Sequence, residues 1–237
     1  MSSYVKSHTR KSQQERREEI LDATLRVISE HGLEGATVSR IAAAVGVTPG
    51  ALYRHFDNRA ALLSEANQLA NERAMNWVDS SANPDALQRL EELAKTHAAW
   101  AREHFNSVVR PFFLELASRH PDSGDPPLRI TDFRIHKAFV AIAEEGKQQG
   151  SISEDVLPED VAWALQMFAW VEDISVMAGA REFIDEGILS RNVKRMLDSF
   201  RPERVPQDDV ESENLVSSTP RVPHRQEAHR RPVPTSS

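Results

Sequence analysis

The sequence predicts an all-α fold, and three observations carry that prediction. No stretch alternates apolar and polar residues as a half-buried strand would. Apolar residues instead recur three and four apart from near Ser12 to Phe200. The gaps between those stretches fall on helix punctuation such as Ser12, Thr37, Gly46 and Thr48.

Taken in order, Ser12-x-x-Glu15 is a capping box that opens a first helix running to about His31. Thr37 is a suitable N-cap for a second, short helix whose apolar face is Ile41 and Ala42. That helix runs out at Val45-Gly46, where glycine tolerates a left-handed turn. Thr48 caps a third helix, with Pro49 at the first helical position, where a missing N–H costs nothing. Leu52 and Phe56, four apart, give it a buried edge and leave the polar tips of Tyr53, Arg54 and His55 available.

A long helix is expected from about Arg59 to Asp79, carrying Leu62, Ala66, Leu69 and Trp77, and residues 80–84 break it. The next, about Asp85 to His104, sets Leu87, Leu90, Leu93 and Ala94 at helical spacing. A helix around Ser107 to His120 contains Pro111, so it is bent or begins there. HPDSGDPP, residues 120–127, reads as a loop, and 130–150 is helical again along Ile135, Phe139 and Ile142. In VAWALQMFAWV, residues 161–171, only Gln166 is polar, so this helix must be covered on every side. Val193, Met196, Leu197 and Phe200 mark the inner stripe of a last helix whose other face shows Arg191, Lys194 and Arg195.

At 237 residues the chain has room for one small domain and one larger one. The absence of cysteine excludes disulfides, thiolate metal sites and a cysteine nucleophile. The polar N-terminus lacks the apolar core of a secretory signal, and no apolar run approaches the ~20 residues of a membrane span. A soluble cytoplasmic protein is expected.

The net charge of −7 is uneven. Residues 1–60 hold nine Lys/Arg against seven Asp/Glu, residues 61–200 fourteen against twenty-three, and residues 201–237 six against six. Lys6, Arg10 and Lys11 form a basic arm, and Arg40, Arg54 and Arg59 punctuate the short helices, a local positive footprint on an acidic body. Residues 201–237 hold six of the thirteen prolines and few large apolar residues, a composition that predicts a disordered tail. Its PRVPHRQEAHRRP stretch suits either solvent or the DNA backbone.

No catalytic set assembles: there is no Walker loop, G-x-S-x-G elbow or H-E-x-x-H. His97 and His104 are seven apart, too far to chelate one metal without help, and read as partly buried or exposed. No enzyme activity, cofactor or metal is expected.

Two short helices joined by a tight glycine turn have the spacing of a helix-turn-helix, whose second helix lies in the DNA major groove. Gly46-Val47-Thr48-x-Gly50-Ala51-Leu52-Tyr53-x-His55-Phe56, followed by Arg59 and Leu62-Leu63, resembles the DNA-binding signature of the tetracycline-repressor (TetR) family. The preceding Ile20-Leu21, Leu25, Val27-Ile28, His31-Gly32 and Ala36-Thr37-Val38 fit it too, so the resemblance covers about residues 12–65. One departure is Arg59, where the family usually carries a lysine aimed at a phosphate; arginine keeps the charge.

The resemblance implies a homodimeric transcription regulator with a basic arm at 1–11 and a helix-turn-helix domain at 12–58. A helical effector-binding and dimerisation domain at 59–201 and a tail at 202–237 would follow. Its partners would be a double-stranded, roughly palindromic DNA operator and an unknown small-molecule effector, with no membrane. Tyr53, His55 and Arg59 would hold phosphates, and Thr48, Pro49, Gly50, Ala51 and Arg54 would face base edges. Arg54 suits either a guanine or the backbone. Thr37 and Arg40 would meet phosphate at a helix N-terminus. Trp100, Phe105, Phe112, Phe113, Phe133 and Phe139 would line an effector cavity, or fill ordinary core. Dimerisation through the last two long helices would use Trp163, Met167, Trp170, Val193, Met196, Leu197 and Phe200, although the two tryptophans could also fill a monomer core. The competing reading is a small-molecule-binding or protein-interaction module that has lost DNA binding.

Overall fold

The computed structural model describes residues 12–119, 133–180 and 185–203, and all but Glu203 of these belong to one compact unit that ends at Pro202. The basic arm, the 120–127 loop and the tail beyond Glu203 lie outside the described residues. Among the described residues every regular element is helical, in keeping with the all-α expectation.

Helix α1 spans Gln13–Gly35 and opens on the expected capping box: Ser12 Oγ accepts from the Glu15 amide at 3.1 Å and the Ser12 amide donates to Glu15 Oε2 at 2.7 Å. Its continuity breaks near the expected end, at Gly32, whose φ of 72° is left-handed, and one more turn follows before Ala36. Helix α2, Val38–Ala44, is capped by Thr37 and ends before Gly46, φ 69°. Helix α3, Pro49–Leu52, is a single turn capped by Thr48. Helix α4, Arg59–Val78, is capped by Asn58, whose Oδ1 accepts from the Ala61 amide at 2.9 Å.

Helix α5, Ala86–Glu103, is capped by Asp85. It passes into a π-helical segment, Phe105–Val109, and then into α6, Arg110–Ser118. Pro111 therefore sits at a helix start, and the lack of an amide there suits the wide turn before it. Helix α7 is Arg134–Gln149 and ends on left-handed Gly150. Helix α8, Pro158–Ala178, is much longer than its apolar run, and α9 is Ile188–Ser199.

Two apolar cores result. The first joins Ile20, Leu25 and Ile28 of α1 to Ile41, Leu52, Phe56 and Leu62, so the short helices pack on α1 and the start of α4. The second gathers Leu87, Leu90 and Leu93 of α5 with Phe139, Val161, Leu165 and Leu197. Trp100 and Ile135 pack against both.

Helix α8 requires an amendment to the expectation about apolar length. Its 21 residues have the length and hydropathy of a membrane span. Yet it packs against α5 and α7, and it carries Glu172 and Asp173 into the interior, as a core helix does.

Along α4 the residues meeting the first core are Leu62, Ala66, Ala70 and Ala74, four apart, and Ala66 is fully buried. Ala66→Leu should force α1 and α4 apart and lower unfolding stability by about 1–3 kcal/mol in urea titrations. A stability within about 0.5 kcal/mol of the parent would show that the two helices do not pack so closely.

Candidate nucleic-acid interface and internal cavity

The helix-turn-helix is built from local bonds. Thr37 Oγ1 accepts from the Arg40 amide, and Thr48 Oγ1 from the Ala51 amide, each at 3.3 Å. Leu52 and Phe56 are 1% and 3% exposed, so the inner edge of α3 is core. The opposite side presents Thr48, Pro49, Gly50, Tyr53 and Arg54 to solvent, with Ala51 and His55 half-buried. Thr37 and Arg40 are exposed at the start of α2. Space is open around Gly50, where an added Cβ would meet nothing within 4 Å. The fold itself therefore does not require glycine there.

Arg59 departs from the phosphate-facing role expected of it. Its Nε donates to the Ala36 carbonyl at 3.0 Å and its NH2 to the Leu33 carbonyl at 2.5 Å. Both carbonyls lie at the end of α1, where Leu33 also accepts from the Ala36 amide at 3.3 Å, and a guanidinium fork matches two of them where a lysine would reach one. Arg40 is partly engaged in the same place, donating to the Gly35 carbonyl at 2.8 Å. Arg17, not singled out in the sequence, makes a companion clamp. It donates to the His55 carbonyl and to Glu65 at 2.6 Å, and its guanidinium lies 4.3 Å from the centre of the Phe56 ring.

Beneath this unit lies a cavity of about 580 Å³. Trp100, Phe112, Phe133 and Phe139 line it, but Phe105 and Phe113 do not. Phe113 turns aside to pack on Phe112 and Trp170, with ring centres 5.2 and 6.4 Å away, and Phe105 lies against Arg110. Phe113 follows Phe112 on α6 and so points about 100° away from it. Phe105 opens the π-helical segment seven residues before Phe112, where the wider turn breaks the α-helical register between them. Leu25, Ile28 and Leu33 of α1, and Ala60, Leu63 and Ser64 of α4, complete one wall.

The cavity also carries polar groups. Gln166 and Asp173 line it from α8, and His97 from α5. His97 is 4% exposed, not the partly buried or exposed histidine expected, because its Nδ1 is bonded to Glu172 Oε2 across 75 residues of sequence at 2.8 Å. His104 keeps to expectation: it is half-buried and stacks on Trp100 at 4.9 Å. Burial pushes the Asp173 carboxyl up to about 6, helped by the Glu172 charge and opposed by His97.

The residues expected at a dimer interface divide. Val193 and Leu197 are 4% and 0% exposed, spent inside the second core, so they are unavailable to a partner. Trp163 is half-buried against the His136 ring, and Trp170 against Phe112 and Phe113. Met196 and Phe200 remain half-buried at the edge. Met167 is exposed, and it stands on a stripe with exposed Val171, Ile174 and Met177 along one side of α8. An all-apolar helix gives no clue from sequence as to which side its own core takes.

Residues 20–66 match the family described as bacterial regulatory proteins, tetR family. HTH-type transcriptional repressor KstR2 of Mycobacterium tuberculosis (strain ATCC 25618 / H37Rv) is 33% identical over 163 residues, 66% of this chain and 78% of that one. The fatty acid metabolism regulator protein of Bacillus subtilis (strain 168) is 29% identical over 171 residues, 67% of this chain and 80% of that one. A crystal structure of a TetR transcription regulator from Haloarcula marismortui ATCC 43049 shares the fold, with TM-score 0.63 and 23% identity over 79% of this chain and 98% of that chain.

Two expectations follow from the side-chain geometry. Arg59→Ala should lower stability by roughly 1–3 kcal/mol by removing two charge-assisted hydrogen bonds, while Tyr53→Ala, at a 51% exposed site, should stay within about 0.5 kcal/mol of the parent in urea unfolding. Equal effects would show that the Arg59 bonds do not hold α4 to α1.

For Asp173 the sign runs against alkaline conditions. With the folded value raised from 3.8 to about 6, the folded state holds more protons than the unfolded state between those values. Its stabilising contribution is complete below pH ~4 and is lost as pH rises through ~6. Asp173→Asn should flatten that slope and raise stability at pH 7 by up to about 3 kcal/mol. An unchanged slope between pH 4 and 7 would assign the dependence to other groups.

Proposed function

The chain belongs to the TetR family of bacterial transcription regulators, and from that premise we propose that it is a homodimeric, ligand-responsive repressor. It is a DNA-binding transcriptional regulator. The observation that carries the finer reading is the shared wall: α1 and α4, which carry the helix-turn-helix, also face the cavity. A small molecule seated there touches the elements that set where α3 stands.

On this reading the exposed side of α3 meets the DNA. Thr48, Pro49, Ala51 and Arg54 face base edges, and Tyr53, His55, Thr37 and Arg40 lie toward phosphates. The open space over Gly50 is room for DNA to approach the backbone. Arg59 supports the surface from behind. The Met167–Met177 stripe on α8, with Met196 and Phe200 at its margin, is the face a second copy covers, because soluble chains rarely leave such a continuous apolar patch open. Two copies set a pair of α3 helices about one DNA turn apart, ~34–36 Å. Ligand in the cavity shifts that spacing and releases the operator. Repression is the mode named for the mycobacterial relative. The site of action is the cytoplasm, where the chromosome lies.

The test is binding to DNA upstream of the protein's own coding region. Gly50→Ala should raise stability by up to ~1 kcal/mol through helix propensity and still weaken specific binding. Arg54→Ala should lower the slope of log K against log salt by about 0.9 for each phosphate it holds, whereas a base contact would relax sequence preference instead. Sedimentation at micromolar concentration should give the mass of a dimer. A folded monomer, or wild-type DNA affinity in both variants, would sink this assignment of surfaces.

A further inference from the structure

We propose that the inner end of the cavity, at Gln166 and Asp173, is a subsite for a protonated amine, so that the effector is an apolar molecule ending in an organic ammonium group. The assignment rests on reading the cavity as the effector site and adds its chemistry.

Gln166 and Asp173 are seven apart on α8, two turns along one face, and both line the cavity. They are 5% and 8% exposed. Gln166 Oε1 and Asp173 Oδ1 have no hydrogen-bond partner. Buried acceptors are ordinarily satisfied, and each that is not calls for an explanation. The neighbouring groups do not supply one. His97 Nδ1 is taken by Glu172 Oε2 at 2.8 Å, and His97 Nε2 stands 3.7 Å from Asp173 Oδ1, beyond hydrogen-bond reach. Two carboxylates, Glu172 and Asp173, thus share one buried spot with a single imidazole.

The ligand that answers this arrangement brings donors and positive charge. An ammonium has three donors and no acceptor, enough for both orphan oxygens. It also offsets the second carboxylate, and the nearby indoles of Trp77 and Trp100 suit a cation. A carboxylate-headed ligand at this end would add a third negative charge. An apolar end would leave both oxygens unpaired. Arg119, Arg134 and Glu115 line the cavity too, but the two arginines are exposed and Glu115 is half-buried, so the only fully buried charged groups in the lining, among the described residues, are Asp173 and its neighbour His97. The volume of about 580 Å³ is that of a drug-sized site with room for a long or multi-ring apolar body.

Three probes with one tail and different heads test this: decylamine, decanol and decanoate. Each is titrated into the full chain at pH 7.5 below its micelle concentration, and binding is followed by calorimetry and by fluorescence of Trp77 and Trp100. Decylamine should bind about tenfold or more tighter than either partner, the scale of one buried acceptor gaining its donor. Asp173→Asn should bring amine and alcohol to similar affinity, with decanol binding retained as proof that the variant folds. Gln166→Leu should lower amine affinity and spare the alcohol.

Decanoate equal to or tighter than decylamine overturns the assignment, as does an amine preference that survives Asp173→Asn, or no binding by any probe. Release of operator DNA is scored separately. Release by decanol or decanoate without an amine preference keeps the effector reading and removes the subsite. Selective amine binding with no effect on DNA keeps the subsite and removes the effector reading.

Discussion

The close approach of α1 and α4 is the contact on which the rest of this protein depends. Small side chains permit it: Ala23 on one helix, and Ala66, Ala70 and Ala74 on the other, are 6% exposed or less. Three arginines then fix the register. Arg17 near the start of α1 holds Glu65 and the His55 carbonyl. Arg73 pairs with Asp22, and Arg59 grips the two carbonyls at the far end of α1. Each is a charged donor meeting a defined acceptor, the stronger kind of hydrogen bond. Helices α2 and α3 pack on the α1–α4 pair among the described residues. With seven and four residues they are too short to persist alone, and they take their shape from α1 and the first turns of α4.

The same two helices wall the cavity. Leu33 illustrates it: its side chain lines the cavity while its carbonyl accepts from Arg59. The turn that carries it follows Gly32, where α1 is already broken. On the other side, Ser29 Oγ bonds Asn106 of the π-helical segment at 2.7 Å, tying α1 to the junction of α5 and α6. A ligand shifts the balance between arrangements only through contacts that differ between them. On the proposed reading such contacts lie within the DNA-binding unit itself and need no long relay.

What was legible in the sequence was local, and what was not legible was distant. Ser12, Thr37, Thr48 and Asp85 each cap a helix through an amide three residues on, so their roles can be read from neighbours. Gly46 likewise marks its own turn. Arg59 looked like a free cation because its acceptors are 23 and 26 residues away. His97 and Glu172 are 75 apart, and no periodicity links them. Phe105 and Phe112, seven apart, do not share a face because a π-helical segment, which has no composition of its own, lies between them. For α9 the stripe was right and its destination wrong: Val193 and Leu197 serve the chain's own core. An apolar stripe announces burial but not against what.

Helix α3 separates two kinds of position within one turn. Leu52 and nearby Phe56 carry its anchorage, and the outward residues Thr48 to Gly50, Tyr53 and Arg54 contribute almost nothing to the core. Substitutions at outward Tyr53 and Arg54 are therefore nearly free of folding consequences, whereas Thr48 also caps the helix through the Ala51 amide. A lineage can exchange such outward residues one at a time while every intermediate remains a well-folded protein. The scaffold is what leaves this surface free to vary.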